Sequence, residues 1–341
     1  MGGMERVMSE LALYFYEHKN ADVSVILLAQ RDRFYVLPEG IKIYEPSFHY
    51  KKHSAAVHFF KTVFYLRNSV YKINPDSILS FCERYNSFVI LSALFFKSKI
   101  FISDRSSPLA SSGKIVDILN KYFYKLSKGI IAQTQIAKEI LYRKNKHKNI
   151  TVIGNPIKFL PRKDNAIREN IIINVGRFAH KKNQHLLLKY FKEINDLSWK
   201  IIFIGDGFRM PEVIKLSEEL GLTQNVEFAD RVSDIQSYYS KAKIFAFTST
   251  SEGFPNALGE AMSAPLACIS FDCVAGPKDL IDNGINGFLI KENDDKDYIN
   301  KLKLLMCDEE LRNCFEAEAF KKIQKYNIQT IGNSFYDFIN V

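Results

Sequence analysis

The chain has 341 residues, 47% hydrophobic and 13% aromatic, with 16 Gly and 10 Pro; this excludes a disordered protein and leaves room for two packed domains. Its 5 cysteines are odd in number and form no C-x-x-C pair, which excludes a disulfide framework or zinc ribbon and fits a reducing compartment. The net charge of +9 is unevenly placed: residues 1–160 carry 24 Lys+Arg against 12 Asp+Glu (+12), and residues 161–341 carry 23 against 26 (−3), so an anionic partner is expected at the first half.

The N-terminus reads as a charged helix, Glu5–Glu17, without the apolar core of a signal peptide. Strand Val23–Leu28, helix Ala55–Tyr71 and strand Ile78–Phe81 follow. The longest apolar run, Phe88–Phe96, is too short to cross a bilayer, and Lys97 ends it. Next come strand Ile100–Ser103, a helix through Tyr124, strand Gly129–Gln133, helix Ala137–Arg143 and strand Ile150–Ile153. The stretch Asn155–Asn170 is charged, holds two prolines and lacks periodicity, so it reads as a linker.

Beyond the linker, strands Ile171–Val175, Lys200–Ile204, Val226–Ala229, Ile244–Thr248 and Leu266–Phe271 alternate with helices Gln184–Ile194, Met210–Leu220 and Asp234–Lys241 and one opening near Asn256. Repeated strand–helix units of this length imply parallel sheets with helices on both faces. The expectation is an α/β protein of two doubly wound domains, residues 1–160 and 161–325, with 326–341 packing back toward the first. Such domains bind ligand at the C-terminal edges of their strands, in the cleft between them.

Three segments carry chemistry. In Asn174–Leu188, NVGRFAHKKNQHLL, Gly176 and Arg177 follow a strand and Lys182 precedes a helix. A planar guanidinium, a point charge and free helix N–H groups would cradle a diphosphate, although a plain basic loop has the same composition. His180 and His185 read as solvated histidines, because no carboxylate stands at metal-ligand spacing. In Ile204–Val213, IGDGFRMPEV, Gly205 and Gly207 allow a tight turn, but Met210 breaks the dinucleotide fingerprint. In Ser251–Glu260, SEGFPNALGE, Glu252 ends a strand connection and Glu260 falls in the next helix, with Gly253, Phe254 and Pro255 between. The two carboxylates fit an acid–base pair, a grip on vicinal hydroxyls, or surface charge.

Together these segments stand in the order seen in the C-terminal domain of retaining glycosyltransferases, and the chain resembles the GT-B enzymes of glycosyltransferase family four. The segment Phe271–Ile290 is similar to that family's stretch after the Glu pair, in a Gly-Pro form, and Met1–Val7 to its N-terminal glycine loop. ISDRSSP (Ile102–Pro108) and VIGNPI (Val152–Ile157) resemble two further landmarks. The likeness spans nearly the whole chain and is strongest over residues 171–290.

The resemblance implies two Rossmann-like domains facing across a cleft and transfer of a hexose or N-acetylhexosamine from a nucleotide-diphosphate sugar to a glycan or polyprenyl-diphosphate-linked acceptor. It implies that Arg177 and Lys182 neutralise the leaving diphosphate, that Glu252 holds donor-sugar hydroxyls, and that Gly253, Phe254 and Pro255 shape the same place. Glu260 would bind the ribose, the backbone near Arg231 and Val232 the base, and Gly176, Gly205 and Gly207 would line the donor. Gly3 would face donor phosphate or acceptor. The family has a strand before its glycine loop, so the first domain is expected to lack its first strand, and Asn183 stands where many members have glycine.

Asp295-Lys296-Asp297 matches the D-x-D of metal-dependent transferases, but its place before a helix assigns it to capping. No metal and no cofactor are expected. The basic, aromatic segment Val57–Ile73 suits attachment to an anionic inner membrane as well as a core helix with a solvated basic face. A cytoplasmic protein, peripheral on the membrane's inner face, is expected. The rival readings are a GT-B phosphorylase or epimerase-like enzyme and a basic nucleic-acid-binding module; the uneven charge and the lack of a recognition motif argue against nucleic acid.

Overall fold

The computed structural model describes residues 3–29, 35–48, 55–160 and 167–340. In chain order the N-terminal elements are α1 (Gly3–Lys19), β1 (Ser24–Ile26), β2 (Lys42–Tyr44), α2 (Ala55–Ile73), β3 (Ser77–Phe81), α3 (Glu83–Ala93), β4 (Lys99–Ser103), α4 (Lys114–Phe123), β5 (Gly129–Ala132), α5 (Gln135–Asn145) and β6 (Ile150–Val152). They continue as β7 (Ile171–Val175), α6 (Gln184–Ile194), β8 (Lys200–Ile204), α7 (Met210–Glu219), β9 (Val226–Ala229), α8 (Ile235–Lys241), β10 (Ile244–Phe247) and α9 (Asn256–Ser263). Last come β11 (Ala267–Asp272), α10 (Pro277–Leu280), β12 (Phe288–Lys291), α11 (Asp295–Cys307), α12 (Glu309–Ile323) and α13 (Ile328–Ile339).

The chain divides into two compact units. One comprises Met1–Pro156 with Ile328–Val341, the other Ile157–Asn327. The junction thus falls at the start of the Asn155–Asn170 stretch, whose first residues are buried: Asn155, Ile157 and Leu160 are each less than 5% exposed.

In the second unit six parallel strands run in the order β12-β11-β10-β7-β8-β9. Ile172 of β7 pairs with Ile201 of β8 on one side and Ile244 of β10 on the other. These strands are continuous apolar runs because both faces are covered by helices. Side chains alternate between the two faces. Ile172, Ile201, Phe203 and Ile244 join Leu187, Phe191 and Leu302 on one face, while Ile173, Ile202, Phe245 and Phe247 join Leu258, Met262 and Ile323 on the other. Each such side chain contributes about 1.5–3 kcal/mol by leaving water.

The first unit carries a four-stranded parallel sheet, β3-β4-β5-β6, and a separate parallel pair, β1-β2, that is not hydrogen-bonded to it. Consecutive parallel strands joined by right-handed crossovers place α3, α4 and α5 on one face of the four-stranded sheet. The final helix α13 packs on α1 within this unit. Tyr14 donates to Asn333 Oδ1 at 2.9 Å, and Phe15 meets Tyr336 with ring centroids 5.6 Å apart. Gly332 permits this approach, since a Cβ there would lie 2.3 Å from the Tyr14 ring.

Helix starts follow simple capping chemistry. Thr134, Asp234, Asp294 and Asp308 each accept the backbone N–H three residues on. For the DKD turn this refines the expectation: the cap of α11 is Asp294, and Asp295 instead accepts the Tyr190 hydroxyl at 2.5 Å.

Candidate functional site

In the six-stranded sheet the chain runs outward one way from β7 through β8 to β9, and the other way from β10 through β11 to β12. Beyond the C-terminal ends of β7 and β10 the order reverses, and the two connections diverge to leave a crevice, the usual ligand position in such sheets. Those two connections are the Gly176–Asn183 loop and the Thr248–Pro255 loop.

They are tied together by a run of small hydroxyl residues at the end of β10. Thr248 Oγ1 donates to the Lys182 carbonyl at 2.8 Å, and the Thr250 amide donates to the Lys181 carbonyl at 2.9 Å. Asn183 Nδ2 reaches Thr250 Oγ1 at 3.3 Å. Asn183 itself has φ 51°, in the left-handed region. Glycine enters that region without cost, and asparagine is among the few residues with a side chain that tolerate it, which accounts for Asn183 at this position.

On this frame Lys182 Nζ donates to Glu252 Oε1 at 2.5 Å, with the lysine side chain 25% and the glutamate 10% exposed. The ammonium also stands 5.3 Å from the centroid of the Phe247 ring. A lysine has three N–H donors, so pairing with one carboxylate oxygen leaves others for a ligand. Cys273, at the end of β11, lies beside this pair: burial, and then the Glu252 carboxylate, push its thiol up to about 12. It stays protonated at neutral pH.

Arg177 is exposed, and its carbonyl accepts Gln184 Nε2 at 3.2 Å. Gly176 meets nothing within 4 Å where a Cβ would stand, so open space lies over the loop's start. Gly205 and Gly207 answer a packing demand. Their φ values are +134° and +150°, and a Cβ on either would stand 2.3 Å from the carbonyl oxygen of Gly176 or Phe178. They press the β8–α7 turn against the Arg177 loop. Next to them Arg231 donates to Asp206 Oδ2 at 2.7 Å, and that bond is the main reason the Asp206 carboxyl is held below its usual range. Val232 packs partly against the core.

In the second connection Phe254 is buried against Tyr326, ring centroids 5.4 Å apart, and Pro255 caps α9. Gly276 crosses directly over Pro255, where a Cβ would come within 2.4 Å of its ring. Gly253 is partly exposed between them, and Glu260 lies partly exposed in the second turn of α9. The Glu260 charge and, more strongly, burial raise the Tyr239 hydroxyl well above its usual range. The structure therefore pairs Lys182 with Glu252 across two adjacent strand ends, with Arg177 earlier in the first connection and Glu260 in the helix that follows the second. Gly3 opens α1 in the other unit and is exposed.

Sequence reasoning missed the hydroxyl clamp of Thr248, Ser249 and Thr250, although four consecutive Ser/Thr residues after an apolar strand were a visible signal. It also missed a polar cluster in the first unit, at the C-terminal ends of β3 to β6. There the ISDRSSP and VIGNPI segments meet: Arg105 Nη1 donates to Asn155 Oδ1 at 2.6 Å, and Gln133 Nε2 donates to the same oxygen at 2.8 Å. The Arg105 guanidinium stands 4.5 Å from the Phe81 ring centroid and 5.3 Å from that of Phe335. Asp104 Oδ1 accepts the Tyr124 hydroxyl at 2.6 Å and Asn86 Nδ2 at 2.9 Å. Burial, and then the neighbouring Glu83 carboxylate, push the Asp104 carboxyl up to about 7.

Residues 158–322 match the family Glycosyl transferases group 1. The chain is 28% identical over 349 residues to the amylovoran biosynthesis glycosyltransferase AmsD of Erwinia amylovora, covering 99% of this chain and 96% of that protein. It is 26% identical over 339 residues to the Campylobacter jejuni GalNAc-alpha-(1->4)-GalNAc-alpha-(1->3)-diNAcBac-PP-undecaprenol alpha-1,4-N-acetyl-D-galactosaminyltransferase, covering 97% and 92%. Among solved structures, Anabaena HepE in complex with UDP and glucose superposes with a TM-score of 0.84 at 15% identity, covering 99% of this chain and 96% of that one. The fold is the GT-B fold of such structures, with two Rossmann-like units.

Proposed function

We propose that this chain is a retaining glycosyltransferase that moves a hexose or N-acetylhexosamine from a nucleotide-diphosphate sugar to a lipid-linked glycan acceptor in bacterial surface-polysaccharide synthesis. The observation that carries the reading is the Lys182–Glu252 pair at the reversal of the six-stranded sheet, with Arg177 on the same connection as the lysine. The group 1 domain over residues 158–322 and relatives named for polysaccharide and undecaprenol-linked glycan synthesis support the same chemistry.

In this reading Arg177 and Lys182 hold the diphosphate, whose charge grows as the glycosidic C–O bond breaks. Preorganised cations at that place are the main catalytic device. Glu252 accepts hydrogen bonds from donor-sugar hydroxyls while fixing the lysine, and the Gly253-Phe254-Pro255 turn shapes the sugar's seat. Glu260 accepts from the ribose hydroxyls, and the backbone near Arg231 and Val232 meets the base. Gly176 leaves room for the phosphates. Gly205 and Gly207 act by setting the Arg177 loop in place rather than by lining the donor.

The acceptor hydroxyl attacks the anomeric carbon on the face the diphosphate leaves. The leaving diphosphate oxygen takes the acceptor proton, so configuration is retained without a protein nucleophile. The first unit receives the acceptor, with Gly3 on that side of the reaction. The cationic side chains supply the charge that the reaction needs, so no metal or cofactor is invoked. The enzyme works at the cytoplasmic face of the inner membrane, without nucleic acid.

The test is a donor screen by nucleotide release, using UDP-sugars and a polyprenyl-diphosphate-linked acceptor, with EDTA in one arm and the product anomer read by NMR. Release with retention and no loss to EDTA is expected. Transfer to free phosphate instead of a glycan would replace this reading with a phosphorylase.

A further inference from the structure

The chain passes between its two compact units twice, at Pro156–Ile157 and at Asn327–Ile328. Ile157 is thus the first residue of the second unit, and Tyr326 stands one residue before its last. The two passages are joined within that unit: the Ile157 amide donates to the Tyr326 carbonyl at 2.8 Å. Both side chains belong to the apolar cluster around Leu258 and Met262 of α9, Ile157 buried within it and Tyr326 packed against it.

Each of the two backs an element that carries a candidate donor carboxylate. The Tyr326 ring lies against Phe254, two residues beyond Glu252. Pro255, next in the turn, is covered by Gly276. The Gly276 amide donates to Asp279 Oδ2 at 3.3 Å, and the Tyr326 hydroxyl donates to the Asp279 carbonyl at 3.4 Å. Phe254, Tyr326, Asp279, Gly276 and Pro255 thus close a circuit of contacts that includes the turn. Residues 248–255 belong to no helix or strand, so side-chain packing sets this turn where a backbone ladder does not. Ile157 backs the second carboxylate. A Cβ on Gly259 would stand 2.5 Å from Ile157 Cδ1 and 2.9 Å from its Cγ1, and Glu260 is the next residue of α9.

We infer that Tyr326 and Ile157 are positioning residues of the donor site, through which the two chain passages fix where Glu252 and Glu260 stand. The inference rests on the donor-binding roles proposed for those glutamates and names what holds them. A displacement of about 1 Å at a reacting centre costs roughly a hundredfold in rate, so a loosened backing shows in turnover before it shows in global stability. The apolar cluster continues through Leu258, Met262 and Ile323 without Tyr326, which separates a positioning role from an ordinary share in the core.

Hydrogen–deuterium exchange of the full-length chain, with no ligand added, reads the positioning directly. Tyr326→Leu keeps an apolar side chain but loses the flat face against Phe254. The amides of residues 252–256 should then exchange at least tenfold faster, with β7 and β8 unchanged. Tyr326→Phe should stay within threefold of wild type, because the hydroxyl contact is long and the ring carries the packing. Unchanged exchange at the turn in Tyr326→Leu overturns the inference. So does an equal rise across β7 to β12, which would make Tyr326 an ordinary core residue.

Binding and turnover give a second readout, because the turn seats the sugar and Glu260 the ribose. Tyr326→Leu should lower nucleotide release at least tenfold, measured with the UDP-sugar that the chain turns over. Its UDP dissociation constant should stay within threefold by calorimetry. Gly259→Ala should instead weaken UDP binding about fivefold. Adding Ile157→Ala removes both atoms that the new methyl meets, and should restore UDP binding to within twofold even though the melt falls. Equal losses of UDP binding and release in Tyr326→Leu, or no restoration by Ile157→Ala, overturn the inference. If the wild type releases nucleotide from no UDP-sugar, the glycosyltransferase reading fails, and the exchange measurement still decides the positioning.

Discussion

Replacing Lys182 with alanine separates what the Lys182–Glu252 pair does for the fold from what it does for chemistry. The glutamate side chain is 10% exposed and the lysine 25%. Breaking a fully buried pair by removing one partner costs about 3–5 kcal/mol, because a charge is left desolvated. With the lysine a quarter exposed, water can reach the vacated place, and the cost falls to about 1–3 kcal/mol. At about 2–4 °C per kcal/mol for a unit of this size, the melting temperature should fall by roughly 2–12 °C. Nucleotide release should fall much further, by about 10²–10³-fold, the usual cost of losing a preorganised charge at a reacting centre.

The variant Lys182→Met with Glu252→Gln removes both charges. Much of the lost stability should return, since no lone charge remains, while activity stays lost. Differential scanning fluorimetry and nucleotide release on the same preparations read the two effects. Wild-type melting and wild-type release in Lys182→Ala would refute the site, and recovery of transfer in the uncharged double variant would refute the catalytic role of the ammonium.

Gly207→Ala should destabilise the protein by about 2 kcal/mol or more and weaken UDP binding, because φ is +150° and the new Cβ would meet the Phe178 carbonyl. Gly176→Ala meets open space and should melt within about 0.5 kcal/mol of wild type, so any loss of UDP binding measured by calorimetry there is a ligand effect. Asn183→Gly should leave stability and activity near wild type, whereas Asn183→Val should cost about 1–2 kcal/mol at φ 51°, as read from urea midpoints. Asp104 has its carboxyl raised to about 7 in the folded state, so the unfolded chain gives up this proton first as pH rises. Stability from this group is full below about pH 4 and is lost as pH climbs toward 7, by a few kcal/mol at most. Urea unfolding of wild type and Asp104→Asn at pH 5 and 7.5 should show a smaller fall with pH in the variant.

Much of the second unit is legible in the residues. Strand Ile171–Val175, helix Gln184–Ile194, and strands Lys200–Ile204 and Val226–Ala229 keep the bounds read from the sequence. Buried parallel strands are short apolar runs, and the helices over them are amphipathic, so local pattern suffices. The first unit is less legible. The strand Lys42–Tyr44 has three residues and no periodic signal, and the apolar run Phe88–Phe96 divides between helix α3 and the loop after it.

The residue types of the site were also written locally: Arg177 and Lys182 in a basic loop, Glu252 and Glu260 around a Gly-Phe-Pro turn. Sequence left Glu252 open as acid, grip or surface charge. What the structure adds is a non-local event, the pairing of β10 with β7, which brings Lys182 to that carboxylate 70 residues away. The same holds for Arg105 and Asn155, 50 residues apart, and for Gly205, where a side chain would meet the Gly176 carbonyl. Backbone periodicity is a property of neighbours in the chain and can be read there. Which strand ends become neighbours in space depends on the order in which the whole sheet assembles, and only the tertiary structure decides it.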